Sequence, residues 1–179
     1  IVEPRTCHWY KVLMLRECLG SSAVAQYEHL VWLDADAVVL DMRPELHELL
    51  AEYRQEVVCA EDCSAASLIN TGVLALRPGP YAQRLCEELW EERRFWRRAY
   101  HEQSGLERLL RRRGDLPARG AGAPVSQEAA GRVFRGEVIG EFEHIAVISR
   151  ERLACKRATP ETFIYHSIGG SANGKLLAI

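Results

Sequence analysis

Asp34 and Asp36, separated by Ala35, are the residues of this chain best placed to do chemistry. They lie in the stretch 28–41, where Leu30, Val31, Trp32 and Leu33 form an apolar run too short for a helix and rich in strand formers. That run predicts a buried strand of a parallel sheet, delivering both acids at its carboxyl end. Ligands of α/β sheets bind outside the carboxyl ends of strands, and paired carboxylates there suit a hard divalent cation carrying phosphate oxygens. An Asp-x-Asp pair fills only part of an octahedral shell. The open positions fit a site where a diphosphate arrives with its metal. The structural alternative is two solvated acids in a turn, which the apolar residues on both sides of the pair disfavour.

His166 ends the last apolar segment and is followed by Gly169 and Gly170, which allow a backbone to approach a ligand closely. A neutral imidazole could join the aspartates as a metal ligand; a satisfied core histidine is the equal alternative. Gly169 to Lys175 satisfies Gly-x-x-x-x-Gly-Lys, but Leu176 stands where a phosphate loop needs Ser or Thr, and the chain stops before the required helix. A Walker-type ATPase is therefore excluded. Lys175 is left to pair with a diphosphate held elsewhere, or to be a solvated tail lysine. Asn70 at the mouth of a strand offers a donor and an acceptor to sugar hydroxyls, or else makes an Asx turn. Glu102 and Gln103, beside His101, either face a sugar or simply start a helix. Arg93, Arg94, Arg97, Arg98, Arg108 and Arg111 to Arg113 make a basic helical surface, without the interleaved aromatics or motif that would point to nucleic acid.

These groups need a scaffold of alternating elements. Apolar spacing predicts a helix over 9–19, a second opened by Pro44 and carrying Leu46, Leu49 and Leu50, a long one over 81–99 and another over 102–113. Strands are expected at 57–59, 70–77, 133–139, 145–148 and 163–168, with a Gly/Pro/Arg-rich loop at 114–122. Strands alternating with helices imply an α/β sheet.

At 179 residues and 47% hydrophobic, the chain is sized for one domain, and its net charge of −2 favours no class of partner. No apolar run is long enough to span a bilayer, and the amino end lacks a signal pattern. Ile1 in place of Met leads us to expect a processed form or a fragment. The six cysteines, Cys7, Cys18, Cys59, Cys63, Cys86 and Cys155, have no Cys-x-x-Cys or zinc-like spacing. Most read as buried small hydrophobes; a Cys59–Cys63 bridge is the minor alternative.

Taken together, Trp9-Tyr10-Lys11, the block from Val31 to Asp36, Asn70-Thr71-Gly72-Val73-Leu74, Glu102-Gln103 and Phe163-Ile164-Tyr165-His166 resemble glycosyltransferases of the A-type nucleotide-sugar fold. The likeness is to the family of plant xyloglucan xylosyltransferases and fungal α-galactosyl and mannosyl transferases. It implies a Rossmann-like mixed sheet flanked by helices, forming one domain over 1–179 that lacks the strand gripping the nucleoside. It also implies a retaining transferase moving a hexose or pentose from a nucleotide diphosphate sugar to a glycan. Manganese or magnesium would then be held by Asp34, Asp36 and His166, with Ala35, Gly169, Lys11 and Lys175 on the donor side. Asn70, Glu102 and Gln103 would line the donor sugar or acceptor pocket, and no side chain serves as nucleophile. A Golgi lumen setting follows from the resemblance alone, with a membrane anchor outside this chain; the oligomeric state is open.

Two rivals remain at this level. Asp34-x-Asp36 after an apolar strand also meets the first motif of haloacid-dehalogenase-like phosphatases, with Asp34 as nucleophile and Asp36 as general acid. The second rival is a non-catalytic glycan-binding relic of the transferase fold.

Overall fold

The computed structural model describes residues 6–41, 46–62, 67–98, 100–117, 140–153 and 163–166. A 3-10 turn at Cys7–Trp9 leads into α1 (Tyr10–Leu19), then β1 (Leu30–Leu33), β2 (Ala37–Val39), α2 (Leu46–Ala51), β3 (Val57–Glu61) and β4 (Ile69–Leu76). After α3 (Pro80–Trp90) and a 3-10 turn at Arg93–Phe95 come α4 (His101–Arg113), β5 (Gly140–Glu141), β6 (Ile145–Ile148), a short helix Arg150–Leu153 and β7 (Ile164–His166).

Five strands form a mixed sheet in the order β1-β4-β3-β6-β5, in which only β3 and β6 run parallel. Strand side chains alternate between faces, and here both faces are covered. Val57, Cys59, Leu74, Leu76, Ile145 and Val147 pack with Trp9, Val12 and Leu15 of the amino-terminal segment and with leucines of α3 and α4. Val58, Ala60, Val73, Ala75, Ala146 and Ile148 face Leu50, Tyr53, Leu153 and Ile164 on the other side. The near-continuous apolar character of β3, β4 and β6 follows from this double burial.

β1 departs from expectation. It is an edge strand, antiparallel to β4, and only half buried, with Leu33 exposed. A four-residue apolar run reads the same at an edge as in the centre of a sheet, because one covered face is enough to select it. The expected long helix over 81–99 also breaks, with α3 ending at Trp90. Buried Glu92 pairs there with Arg94 and with Arg112 of α4, and the chain turns so that Phe95 and Trp96 still reach the core. Those aromatics keep helical spacing, which is why the sequence pattern runs through the break. Pro80 stands at the first turn of α3, where its missing N–H costs nothing. Gly114 ends α4 at φ 86°, a left-handed cap that favours glycine.

Of the cysteines, Cys59 and Cys86 are buried as expected, whereas Cys7 and Cys18 are exposed. Pro44, Cys63, Cys155, the expected strand over 133–139, and Gly169, Gly170 and Lys175 lie outside the described residues. Among the described residues, no helix is long and apolar enough to cross a membrane.

Candidate metal centre and cleft

The aspartates occupy a tight turn. The Asp34 N–H donates to Gly72 O at 2.8 Å, holding the end of β1 against β4, and the Ala37 N–H closes the turn onto Asp34 O at 2.9 Å. The chain then enters β2, whose antiparallel partner β7 places His166 opposite Ala37. A residue near the amino end and one near the carboxyl end thus meet through a two-stranded ladder beside the main sheet.

The donor atoms converge. His166 Nε2 lies 3.2 Å from Asp36 Oδ1 and 3.9 Å from Asp34 Oδ2, and one ligand atom from each of the three residues falls within 4.8 Å of the others. Ligands on adjacent corners of an octahedron with bonds of about 2.1 Å are about 3 Å apart, so the spacing and the O,O,N donor set fit a small divalent cation. The imidazole is buried, and its Nδ1 has no hydrogen-bond partner among the described residues. Gly72 makes room for it: a Cβ there would stand 1.9 Å from His166 Cε1. Glycine in the middle of β4 is required by this approach.

Asp34 is oriented from behind. Trp32 Nε1 and Lys11 Nζ both donate to Asp34 Oδ1, at 2.7 and 2.9 Å, and its other oxygen is the one nearer His166. Lys11 is almost fully buried on α1, and its ammonium also reaches Glu102 Oε1 at 2.8 Å, Thr71 O at 3.2 Å and Thr71 Oγ1 at 3.4 Å. The Thr71 hydroxyl donates to the same Glu102 oxygen at 3.1 Å. Gln103 accepts from the Thr71 N–H at 3.2 Å and donates to Asp62 Oδ2 at 2.6 Å. Asn70 takes the Asx turn weighed above, its side-chain oxygen accepting from the Gly72 N–H at 2.9 Å.

One cleft of about 530 Å³ is lined by Lys11, Asp34, Ala35, Asp36 and Asn70, together with Glu102, Gln103 and His166. Every described site residue expected from sequence therefore borders the same space. Among the described residues lining it, Asp34, Asp36 and Glu102 are acidic and Lys11 is basic. Trp32, Thr71 and Gly72 complete the support and went unassigned in the sequence. An interior strand glycine was the available signal for Gly72; nothing local marks the other two.

No family model matches the sequence, and no curated protein matches it either. Among solved structures the chain is similar to a glycosyltransferase involved in the glycosylation of the major capsid of PBCV-1. The match has a TM-score of 0.64 at 16% identity and covers 98% of this chain and 79% of that one. The chain shares the fold of that protein. Within this shared fold, the Asp34-Ala35-Asp36 turn sits at the edge of the sheet where β1 ends, and β4 forms the adjoining floor.

On a further wall of the cleft, His8 and His101 stack with ring centroids 4.3 Å apart and planes 9° from parallel. Burial, and then the neighbouring His8, lower the pKa of His101, while Glu102 raises it. Net lowering favours the neutral imidazole of His101.

Proposed function

We propose that this chain is a divalent-metal-dependent glycosyltransferase that uses a nucleotide diphosphate sugar as donor and a glycan hydroxyl as acceptor. The convergence of Asp34, Asp36 and His166 in the cleft of a glycosyltransferase fold carries the reading. A manganese or magnesium ion bound there supplies Lewis-acid stabilisation of charge on the departing diphosphate. Asp34, Asp36 and His166 would hold it, and Trp32 and Lys11 keep the Asp34 carboxylate aimed.

The remaining residues shape the pocket. Glu102 is bound by Lys11 and Thr71, and Gln103 by Thr71 and Asp62, so both present fixed polar groups to a sugar. A Glu102 carboxylate held by an ammonium and a hydroxyl is a poor nucleophile, which supports front-face attack by the acceptor hydroxyl with retention. In that reaction the acceptor oxygen forms the new glycosidic bond, the bond to the diphosphate breaks, and the hydroxyl proton leaves with the diphosphate. Lys175 and Gly169, outside the described residues, are assigned to the diphosphate on the family resemblance alone. The transferred sugar is a hexose or pentose, and the setting is the Golgi lumen through an anchor outside this chain; these two assignments rest on the family resemblance.

A panel of UDP- and GDP-sugars, screened for manganese-dependent hydrolysis, tests the reading. Turnover of at least one donor, abolished in Asp36→Ala, is the expected result. Asp36→Ala should also lose the rise in melting temperature that manganese with UDP or GDP gives the wild type. Phosphate release from a simple phosphate ester without sugar-nucleotide turnover would transfer the site to the phosphatase rival. A wild type with no metal-dependent stabilisation would leave only the non-catalytic relic.

A further inference from the structure

We propose that Tyr10 and Tyr100, flanking the stacked His8 and His101, form the platform on which a pyranose ring of the acceptor glycan seats. This deepens the sugar-transfer reading and rests on it. Both tyrosines line the same cleft as the acidic cluster, yet they are 50% and 49% exposed and belong to neither the metal centre nor the Lys11 network. Large aromatic rings left this open inside a cleft are available to a ligand. A tyrosine offers an apolar face with a hydroxyl at its tip, matching the C–H face of a sugar and its rim of hydroxyls.

The backbone supports the same assignment. Tyr100 at φ 60° and His101 at φ 40° are consecutive non-glycine residues in the left-handed region, the only two such residues among those described. Tyrosine does not favour that conformation, and a short polar residue or glycine at position 100 would start α4 with less strain. Strained backbone persists where the surroundings over-determine it, and this occurs most often at ligand sites. Here the restraint is visible: His101 stacks on His8, and its Nδ1 lies 3.3 Å from Thr6 Oγ1. The turn that carries Tyr100 is thereby pinned to the segment that carries Tyr10. Glu102 and Gln103 follow directly on α4, so a ring seated on the tyrosines would lie beside the fixed polar groups of the pocket.

Saturation-transfer NMR with cellobiose, lactose and α-1,2-mannobiose as probes, in the presence of manganese and UDP or GDP, tests the platform. Wild type should transfer saturation to the ring protons of at least one disaccharide, and Tyr10→Ala and Tyr100→Ala should each weaken that binding about tenfold. Tyr100→Trp, which keeps a ring face, should retain it, and Tyr27→Ala, at an exposed tyrosine outside the cleft, should not change it. The platform is overturned if no disaccharide receives saturation, if the Tyr10→Ala/Tyr100→Ala double variant binds like wild type, or if Tyr100→Trp loses binding as Tyr100→Ala does. Displacement of the disaccharide by free uridine or guanosine would assign the rings to the nucleobase and likewise overturn it. The melting shift of wild type with manganese and nucleotide alone reports the sugar-transfer reading, so the two can fail separately.

Discussion

Two clusters of charge share one cleft wall, and they are built in opposite ways. Around Asp34, Asp36 and His166 the donor atoms lie within a few ångströms of one another. Lys11, Glu102, Thr71 and Gln103 are instead bonded to one another and to the strands around them. The first arrangement offers a donor set that a cation could use; the second is tied together within the fold and orients Asp34 in the first. Asp34 belongs to both, one oxygen to Lys11 and Trp32 and the other turned towards His166.

Removing the ammonium should break this division most severely. Lys11→Met leaves buried Glu102 without its counter-charge and strips a donor from Asp34, and breaking a buried pair from one side costs about 3–5 kcal/mol. Denaturant unfolding measures the loss. A Lys11→Met/Glu102→Gln double variant should recover part of it, because the stranded charge is gone. If Lys11→Met is as stable as wild type, the second cluster does not support the first.

The next effect falls on the ligand cluster. Gly72→Ala drives a methyl group into the His166 imidazole, and overpacking a filled site costs about 1–3 kcal/mol. Displacing the imidazole should weaken manganese binding as well, read by calorimetric titration. In a His166→Ala background the same Gly72→Ala change should cost little, since its obstacle is absent. Equal costs in both backgrounds would show that Gly72 serves the strand and not the histidine.

The two clusters also differ in how far the sequence discloses them. Asp34 and Asp36 stand out because they follow a short apolar run, and the family resemblance adds His166 to them; the separate β2–β7 ladder that brings it there leaves no comparable mark in the sequence. β6 and α4 were likewise legible, from an unbroken apolar run and from helical spacing. The supporting cluster was not. Lys11 on a helix looks like any solvated lysine until α1, β1, β4 and α4 are assembled around it, and its partners lie 23 to 91 residues away. β1 as an antiparallel edge strand was hidden for a related reason: strand order is decided by pairings remote in sequence, which an apolar run of four does not encode. The left-handed turn at Tyr100 and His101 goes against local preference, so only its tertiary restraints reveal it.

The smallest expected effect tests whether the comparison extends to the next strand end. Glu61 closes β3 beside Asp62, the residue that anchors Gln103, and its pKa is raised to about 7. Burial is the main cause; Arg150 opposes it, and Glu151 and Asp62 add to it. A carboxyl whose folded pKa exceeds its unfolded value binds more protons in the native state, so stability falls as pH rises from about 4.5 towards about 7. Glu61→Gln removes the titrating group and should flatten that decline. Melting temperatures of wild type and variant should lie close together at pH 4.5, while at pH 8 the variant should melt a few degrees higher, about what 1 kcal/mol gives a domain of this size. A variant that melts lower at pH 8 would mean that the Glu61 carboxylate is stabilised through Arg150, 3.9 Å away, and this strand end would then belong with the paired cluster.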